Sequence, residues 1–136
     1  MDFLRSIAIA ASGLRAQAGR MRVIAENIAN ADSTASAPGG EPYRRKVPTF
    51  TSEIDRALDA RTIGLGRVNT DPSDFRLKHE PGHPAADGNG NVKYPNVNSL
   101  IEMMDMREAQ RSYEANVNVI TASRRMIQRT IEILKS

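Results

Sequence analysis

Two histidines and one aspartate are the residues of this sequence best suited by type to bind a metal. His79 and His83 are its only histidines, and Asp87 follows four residues later. Spaced by four, the two imidazoles would lie on one side of a helix, where a divalent ion could bind. Prolines inside this segment prevent such a helix. A polar, solvated turn is therefore expected, and a metal-dependent enzyme centred on the two histidines is the alternative.

Other chemistry is poorly supported by the residue types. The 136 residues include no cysteine, which excludes disulfides, thiolate nucleophiles and cysteine-bound zinc. The glycine pairs at 64 and 66 and at 88 and 90 lack the lysine and helix start of a phosphate-binding loop. No serine is grouped with a base as a nucleophile would be. We predict that the chain is not an enzyme and has no catalytic residue, bound metal or cofactor.

Charge and aromatic content argue against a nucleic-acid-binding protein. Nineteen basic and 16 acidic residues give a net charge of only +3, and 4% of the residues are aromatic. The one tight basic cluster, Arg44 to Lys46, has no known nucleic-acid-binding module around it. We interpret it as a solvated run of charge in a loop. With so few aromatic residues, packing must depend on small and unbranched apolar side chains, which suit helix contacts.

The first 30 residues predict a helix from about Phe3 to Asn30. Apolar residues recur there in alternating steps of three and four, the pattern of a helix that packs lengthwise against another helix. Because this pattern runs through residues 1–13, we expect them to be part of the mature helix and not a cleaved signal peptide. The predicted pairing seam of this helix is Leu4, Ile7, Ala11, Leu14, Ala18, Met21, Ala25 and Ile28.

A second, longer helix is predicted for the last segment. Ser99 and Glu102 have the spacing of a capping box, which predicts the start of the helix there. Its apolar seam is interrupted by Gln110 and Arg124, polar positions of a kind that fixes register. The predicted pairing seam of this helix is Met106, Tyr113, Val117, Ile120, Ile127, Ile131 and Leu134.

Each helix also carries a second apolar stripe outside its seam. One mutual contact cannot bury both stripes, and exposed apolar surface of this kind indicates oligomerisation. We therefore predict that these residues contact other subunits. The predicted inter-subunit residues are Ile9, Ala16 and Val23 on the first helix and Val119, Met126 and Ile133 on the second.

Between the helices the sequence changes character. Residues 31–46 are rich in Ser, Ala, Pro and Gly and predict a flexible connector. Residues 47–98 predict a small β-rich insertion with strands near 47–51, 67–69, 75–77 and 91–94, a helical turn at 52–60 and a tight turn at 87–90. Residues 1–30 and 99–136 would form one discontinuous helical domain. The predicted fold is mainly α, with the long terminal helices paired as a coiled coil.

A set of residues along the first helix forms a specific motif. It comprises Ser12, Gly13, Leu14, Gln17, Arg20, Asn27, Ile28, Ala29 and Asn30. This motif resembles the N-terminal signature of the bacterial flagellar rod and hook proteins, in which Ser-Gly-Leu, a Gln and an Arg precede Ala-Asn-Asn-Ile-Ala-Asn-Ala-Asn-Thr. Glu26 replaces the first Asn of the Asn pair, and Asp32 to Thr34 modify its Asn-Thr end.

The second half of the chain narrows the resemblance to the proximal rod proteins. Segments 43–45, 81–87 and 90–92 follow their pattern in order, except that Asn91 replaces the usual Tyr. Further matching residues are Tyr94, Pro95, Asn96, Val97, Asn98, Tyr113, Glu114, Ala115 and Asn116. The resemblance implies a periplasmic rod subunit, exported by the flagellar type III apparatus, whose helices line a hollow axial structure. It also implies as partners the other proximal rod proteins, the distal rod protein, the adaptor to the membrane ring and further copies of the chain.

The sequence supports two candidate functions, which belong to different functional classes. The first is a structural rod subunit, and the second is a soluble two-helix adaptor that binds one partner. The predicted seam suits both, whereas the second stripes favour the rod. We also expect the helices to be poorly ordered in the free subunit and to fold fully on assembly, because their apolar surface exceeds what one chain can bury.

Overall fold

Two long helices flank a series of short antiparallel strands in the computed structural model, which describes residues 2–136. The helices are α1 (Phe3–Ala29) and α2 (Ser99–Lys135). The strands are β1 (Lys46–Val47), β2 (Phe50–Asp55), β3 (Ala60–Leu65), β4 (Asn69–Thr70), β5 (Arg76–His79) and β6 (Asn91–Tyr94). The prediction of two terminal helices around a small β-rich middle is thus confirmed.

The strands form three separate two-stranded antiparallel sheets, β1 with β4, β2 with β3, and β5 with β6. The chain divides into two compact units. Unit 1 contains the chain up to Met21 together with Thr49–Arg67 and Arg107–Ser136. Unit 2 contains Arg22–Pro48 and Val68–Met106. Within the described residues, neither helix is both long and apolar enough to cross a membrane.

In unit 1 the predicted helical turn at 52–60 is wrong, because this segment belongs to a β-hairpin. Glu53 of β2 pairs with Thr62 of β3. The Asp55 carboxylate accepts the backbone N–H groups of Ala57 at 2.9 Å and Leu58 at 3.3 Å, which closes a turn where a helix would otherwise continue. The aspartate therefore favours the hairpin through its local hydrogen bonds.

The hairpin packs on α1 by the edge of β3. The backbone N–H of Ile63 donates to Ser12 Oγ at 3.2 Å. Gly19 lies so close to Leu65 that a Cβ on the glycine would be 2.7 Å from Leu65 Cδ2. The small residues of α1 thus permit the close approach of β3.

In unit 2, α1 ends where the sequence predicts and α2 begins with a different cap. Asn30 follows the last residue of α1, and its side-chain amide donates to the carbonyl of Glu26 at 2.9 Å. The capping box predicted for Ser99 and Glu102 is wrong. Asn98 caps α2 instead, since its Oδ1 accepts the N–H of Leu100 at 3.1 Å. Glu102 is thereby free to turn inward.

The β5–β6 loop contains the tight turn predicted at 87–90. Asp87 Oδ1 accepts the N–H groups of Asn89 at 2.8 Å and Asn91 at 2.9 Å, and these bonds lower the pKa of the Asp87 carboxyl. Gly90 has a φ of 79°, a conformation that favours glycine. The turn directs β6 into the core of unit 2, where Val92 is fully buried.

Candidate functional site

The two histidines do not lie around a common metal position. His79 Nδ1 is 3.3 Å from Asn91 Oδ1, and His83 Nδ1 accepts the N–H of Ala85 at 3.0 Å. Among residues 2–136, no group of three His, Asp or Glu side chains is arranged to hold a metal ion. The remaining candidates for functional residues are the buried polar groups and the exposed apolar surfaces.

A buried asparagine joins three segments of unit 2. Asn27 is 1% exposed. Its Nδ2 donates to the carbonyl of Lys46 at 2.8 Å and to Glu102 Oε2 at 3.4 Å. Its Oδ1 accepts the hydroxyl of Tyr43 at 2.7 Å and the N–H of Lys46 at 2.9 Å. The amide thus fixes the end of α1 to the segment before β1 and to the start of α2; we call this cluster the Asn27 hub.

Arg45 extends the hub to three carboxylates. Its guanidinium donates to Glu102 Oε1 and to Asp71 Oδ2, the latter at 3.4 Å, and lies 3.8 Å from Asp105 Oδ2. Burial lowers the pKa of Arg45, but the hydrogen bonds and charges of Glu102 and Asp71 outweigh it and raise the pKa overall. The pKa of Asp71 is lowered, first by the backbone N–H of Ser73 and then by Arg45.

The interpretation of Arg44 to Lys46 as a solvated run of charge is therefore wrong. Besides the contacts of Arg45, Arg44 lies 4.2 Å from the centre of the Phe75 ring and donates to two backbone carbonyls. Lys46 pairs with Glu26. Their acidic and carbonyl partners come from distant parts of the chain, which sequence spacing alone does not reveal.

Ionisation of Tyr43 should make the hub less stable at alkaline pH. Burial, followed by the charges of Glu26 and Glu102, raises the pKa of Tyr43 from 10.0 to about 12. Since the folded pKa exceeds the unfolded one, Tyr43 contributes stability that is complete below pH 10 and is lost between about pH 10 and 12. We expect the urea midpoint to fall over this range, and to fall less in Tyr43→Phe.

The Tyr43→Phe variant also loses the hydrogen bond to Asn27, so it should be less stable by about 1 kcal/mol at pH 7. Tyr94, whose pKa is raised by its hydrogen bond to Glu80, remains to titrate in both proteins. Parallel pH profiles for the variant and the unmodified chain would contradict the role assigned to Tyr43.

In unit 1 the two helices contact each other in antiparallel directions. Gly13 of α1 lies against the side chain of Asn116 of α2, and Arg20 pairs with Glu108 at 3.5 Å. A Cβ on Gly13 would lie 2.8 Å from Asn116 Nδ2. The glycine therefore permits close contact at this point.

Substitution of Gly13 by alanine tests this contact, because its effect on the free energy of unfolding should change sign when Asn116 is removed. The new methyl group should destabilise the protein by about 1–2 kcal/mol through its clash with Asn116. In the Asn116→Ala background the clash is absent, and the same substitution should stabilise α1 by about 0.5–1 kcal/mol. Urea unfolding of the four proteins gives both values. An equal effect of Gly13→Ala in both backgrounds would disprove the contact.

The predicted seam and the predicted inter-subunit stripe of α1 are not buried or exposed in the way that their predicted roles require. Leu4, Ala18 and Ala25 of the predicted seam are exposed, whereas Ala16 and Val23, predicted to face other subunits, are buried within this chain. A heptad pattern identifies a face that can be buried but does not identify what buries it. The remaining seam residues, Ile7, Ala11, Leu14, Met21 and Ile28, are half-buried.

The predicted seam of α2 is also largely uncovered. Ala109 and Ser123 are the buried residues of α2 in unit 1, with the half-buried Asn116 between them. The most deeply buried positions of α2 in unit 1 are thus small residues, with Ile120 and Ile127 half-buried on the same face. Of the predicted seam, Tyr113, Val117, Ile131 and Leu134 are exposed, and Met106, Ile120 and Ile127 are half-buried.

A stripe of large apolar side chains on α2 remains open to solvent. Val119 is 46%, Met126 49% and Ile133 72% exposed. We call these three residues the outward stripe. Ile9, predicted to act with them, is also exposed. Exposed apolar surface of this extent is typical of an interaction site.

A further exposed apolar surface, at the start of α2, was not predicted from the sequence. The first turns of the helix bury Glu102, which is 1% exposed, and turn their large apolar side chains outward. The sequence pattern that indicates this surface is a run of five residues, 100–104, in which four large apolar residues surround one glutamate. We call this group, Leu100, Ile101, Met103 and Met104, the first-turn patch.

Many residues of the sequence motif hold the subunit together. Ser12, Gly13, Arg20 and Asn27 make the contacts described above. Asn96 accepts the N–H of Arg45 at 2.8 Å. Their sequence pattern thus reflects polar contacts between distant segments. The other motif residues are Leu14, Gln17, Ile28, Ala29, Asn30, Tyr94, Pro95, Val97, Asn98, Tyr113, Glu114 and Ala115, of which Tyr94, Pro95 and Val97 are buried.

Two protein families match the two ends of the chain. The family described as flagella basal body rod protein matches residues 7–36, and the family described as flagellar basal body rod FlgEFG protein C-terminal matches residues 89–133. The first match covers most of α1, and the second covers β6 and nearly all of α2.

Individual relatives match over almost the whole chain. The flagellar basal-body rod protein FlgC of Agrobacterium fabrum is 52% identical over 94% of this chain and 92% of its own length. FlgC of Salmonella typhimurium is 40% identical over 98% of each chain. FlgC of Bacillus subtilis is 37% identical over 99% of this chain and 100% of its own. The chain therefore belongs to the FlgC family of flagellar basal-body rod proteins, as a structural subunit of that rod.

Proposed function

We propose that this chain is a subunit of the proximal part of the rod and that neighbouring rod subunits cover the outward stripe of α2. The observation that carries the proposal is the orientation of α2 in unit 1. The small residues Ala109 and Ser123 are buried in the subunit, while Val119, Met126 and Ile133 are exposed. Burial of a large apolar side chain contributes about 1.5–3 kcal/mol, so a neighbour over this stripe would stabilise the assembly.

The two helices would form the axial part of the subunit as an antiparallel pair. The contact of Gly13 with Asn116 and the ion pair of Arg20 with Glu108 support this pairing in unit 1. The Asn27 hub supports it in unit 2, where Asn27 and Glu102 are hydrogen-bonded. In this proposal residues 1–30 and 99–136 act together, and 31–46 and 47–98 connect them.

The proposed partners are those of a rod subunit. They are other copies of the chain, the other proximal and distal rod proteins, the adaptor that joins the rod to the membrane ring, and the flagellar type III export apparatus. The subunit would form part of the wall of a hollow periplasmic shaft and carry out no catalysis. Membership of the FlgC family supports this role. The ionisable groups of the hub bind one another, which is consistent with a structural role for them.

Cysteine labelling in isolated basal bodies tests the proposal. The chain has no native cysteine, so the Met126→Cys variant carries a single thiol. The thiol should react rapidly with a maleimide in the free subunit and slowly in the basal body, because a neighbouring subunit covers it there. A photoreactive maleimide at this position should also cross-link to that neighbour. Equal reaction rates in the two states, with no cross-link, would refute the proposal.

A further inference from the structure

We propose that the open edge of β2 in one copy pairs with the open edge of β5 in a second copy, so that two two-stranded sheets become one four-stranded antiparallel sheet. The inference rests on the proposed function, because it identifies a particular pair of surfaces between subunits of the assembly. Three observations carry it: the outward main-chain groups of the two edges, the exposed side chains along them, and a pair of opposite charges that one register brings together.

The edge of β2 that faces away from β3 carries no further strand among the described residues. The backbone N–H of Ile63 on β3 points away from β2, because it donates to Ser12 Oγ. Its cross-strand partner Ser52 therefore belongs to a pair without mutual main-chain hydrogen bonds, and its own N–H and C=O point outward. The same alternation turns the main-chain groups of Phe50 and Ile54 outward. All three residues of this edge are exposed, so a further strand can reach them.

β5 has a similar open edge on the side away from β6. Glu80, directly after β5, donates its backbone N–H to the carbonyl of Gly90 at 2.9 Å and so points towards β6. By alternation, the main-chain groups of Leu77 and His79 point outward. All four residues of β5 are exposed. The other long strands have no comparable edge, since β3 lies against α1 and Val92 of β6 is fully buried.

One antiparallel register matches both the main-chain groups and the apolar side chains of the two edges. It places Ile54 opposite Leu77. Ser52 then lies opposite His79, so the outward N–H and C=O groups of the two strands can bond each other. Ile54 and Leu77 are each 64% exposed in the single subunit, and each would cover the other in the joined sheet. An extended strand added to an open edge is a common mode of recognition between proteins.

The same register brings together two opposite charges. Glu53 lies opposite Lys78, and opposite charges in such a cross-strand pair are favourable. Both side chains are exposed, and neither belongs to an ion pair within residues 2–136. Lys78 Nζ lies 4.7 Å from the centre of the Tyr94 ring, and Arg15 lines the same open groove as Glu53 without pairing with it. Both charges are therefore available to a partner strand.

The other charged residues near the two edges are compatible with this register but do not select it. Asp55 and Arg76 would also face each other, but both already bind main-chain groups of their own chain. Glu80 accepts a tyrosine hydroxyl within its own sheet. Arg61 and Lys93 would lie on the two outer strands, about 14 Å apart at three strand spacings, where physiological salt screens their repulsion.

Pairing of two β2 edges with each other is disfavoured. Their main-chain groups would match in a register centred on Ser52, with Phe50 opposite Ile54 of the second copy. That sheet would place Glu53 and Asp55 of both copies on one face with no basic residue from either strand. The symmetric contact would also close as a dimer, whereas the contact of β2 with β5 leaves one free edge on each partner and can continue to further subunits.

Paired cysteines test the contact inside isolated basal bodies. The Ser52→Cys/His79→Cys double variant places its two thiols at facing positions and leaves the apolar pair and the charge pair intact. The chain has no native cysteine, so no other thiol can react. After treatment with a short bismaleimide, a denaturing gel should show dimers and higher multimers of the 14.9 kDa chain. Each single variant should give no dimer, because like edges do not meet.

Charge reversal in this double-cysteine background tests the register. Glu53→Lys and Lys78→Glu should each lower the yield of multimers several-fold, because each places like charges opposite one another. The combined reversal restores an opposite pair and should recover most of the yield. Equal yields from all four proteins would show that the two residues do not face each other, which would overturn the register.

The neighbouring pair Ile54→Cys/Leu77→Cys is used if the first double variant assembles poorly. Absence of multimers with both pairs would overturn the inference. Dimers from Ser52→Cys alone would also overturn it, because they would show a contact between two β2 edges. A link to a different rod protein would overturn it by assigning the edge to that partner. Each of these outcomes leaves the proposed function intact if the Met126→Cys thiol is covered in the rod.

Discussion

Replacement of Glu102 by alanine is expected to lower the free energy of unfolding by about 2–4 kcal/mol, because it removes the buried carboxylate that accepts hydrogen bonds from Arg45 and Asn27 and leaves Arg45 only its longer contacts with Asp71 and Asp105. Both groups bind the Glu102 carboxylate in the structure. A loss of this size is a large fraction of the roughly 5–15 kcal/mol that stabilises an ordinary domain. Urea unfolding followed by circular dichroism measures it.

The exposed Glu114 on the same helix provides the matched control. Glu114→Ala removes a carboxylate from an exposed position and should change the stability by less than about 0.5 kcal/mol. A double-mutant cycle with Arg45→Ala should show strong coupling between Arg45 and Glu102. Similar small losses for Glu102→Ala and Glu114→Ala would show that the hub does not hold unit 2 together.

Replacement of Met126 by aspartate is expected to abolish rod assembly and swimming while leaving the isolated subunit as stable as before. Met126 is 49% exposed in the subunit, so a carboxylate there remains solvated. A neighbouring apolar surface over the same position would have to desolvate the charge at a cost of several kcal/mol. Motility in soft agar and counts of basal bodies by electron microscopy measure assembly, and circular dichroism checks the fold.

Two variants separate the effect of the stripe from that of added charge. Met126→Leu keeps an apolar side chain of similar size and should still assemble. Gln128→Asp adds the same charge at an exposed polar position of the same helix, outside the outward stripe, and should assemble better than Met126→Asp. If Met126→Asp cells swim like those with the unmodified chain, the outward stripe is not an assembly surface.

The helices could be predicted from the sequence because their signals are local. The apolar period of α1 and the asparagine that ends it give bounds within one residue of Phe3–Ala29. At the start of α2 the sequence suggested the correct first residue for the wrong reason, since Asn98 is the cap and Glu102 belongs to the hub. The hairpin at 50–65 was missed because its pairing depends on the turn made by Asp55.

The surfaces were harder to predict than the elements because apolar spacing does not show which partner buries a face. Ala16 and Val23 are small or β-branched residues that suit a close contact within the chain, and both are buried. The hub residues are distant in sequence, so the need to bury Glu102 could not be foreseen. That burial in turn exposes the first-turn patch, which explains why four large apolar residues there face solvent.

The central claim, that other rod subunits bury the outward stripe of α2, is tested most directly by the structure of an intact basal body. The quantity to measure is the exposed fraction of Val119, Met126 and Ile133 in the rod. We predict that all three are nearly fully buried, with apolar atoms of another subunit within about 4 Å. Side chains that remain as exposed as in the single subunit, or that are covered only by the α1 helix of their own chain, would contradict the claim.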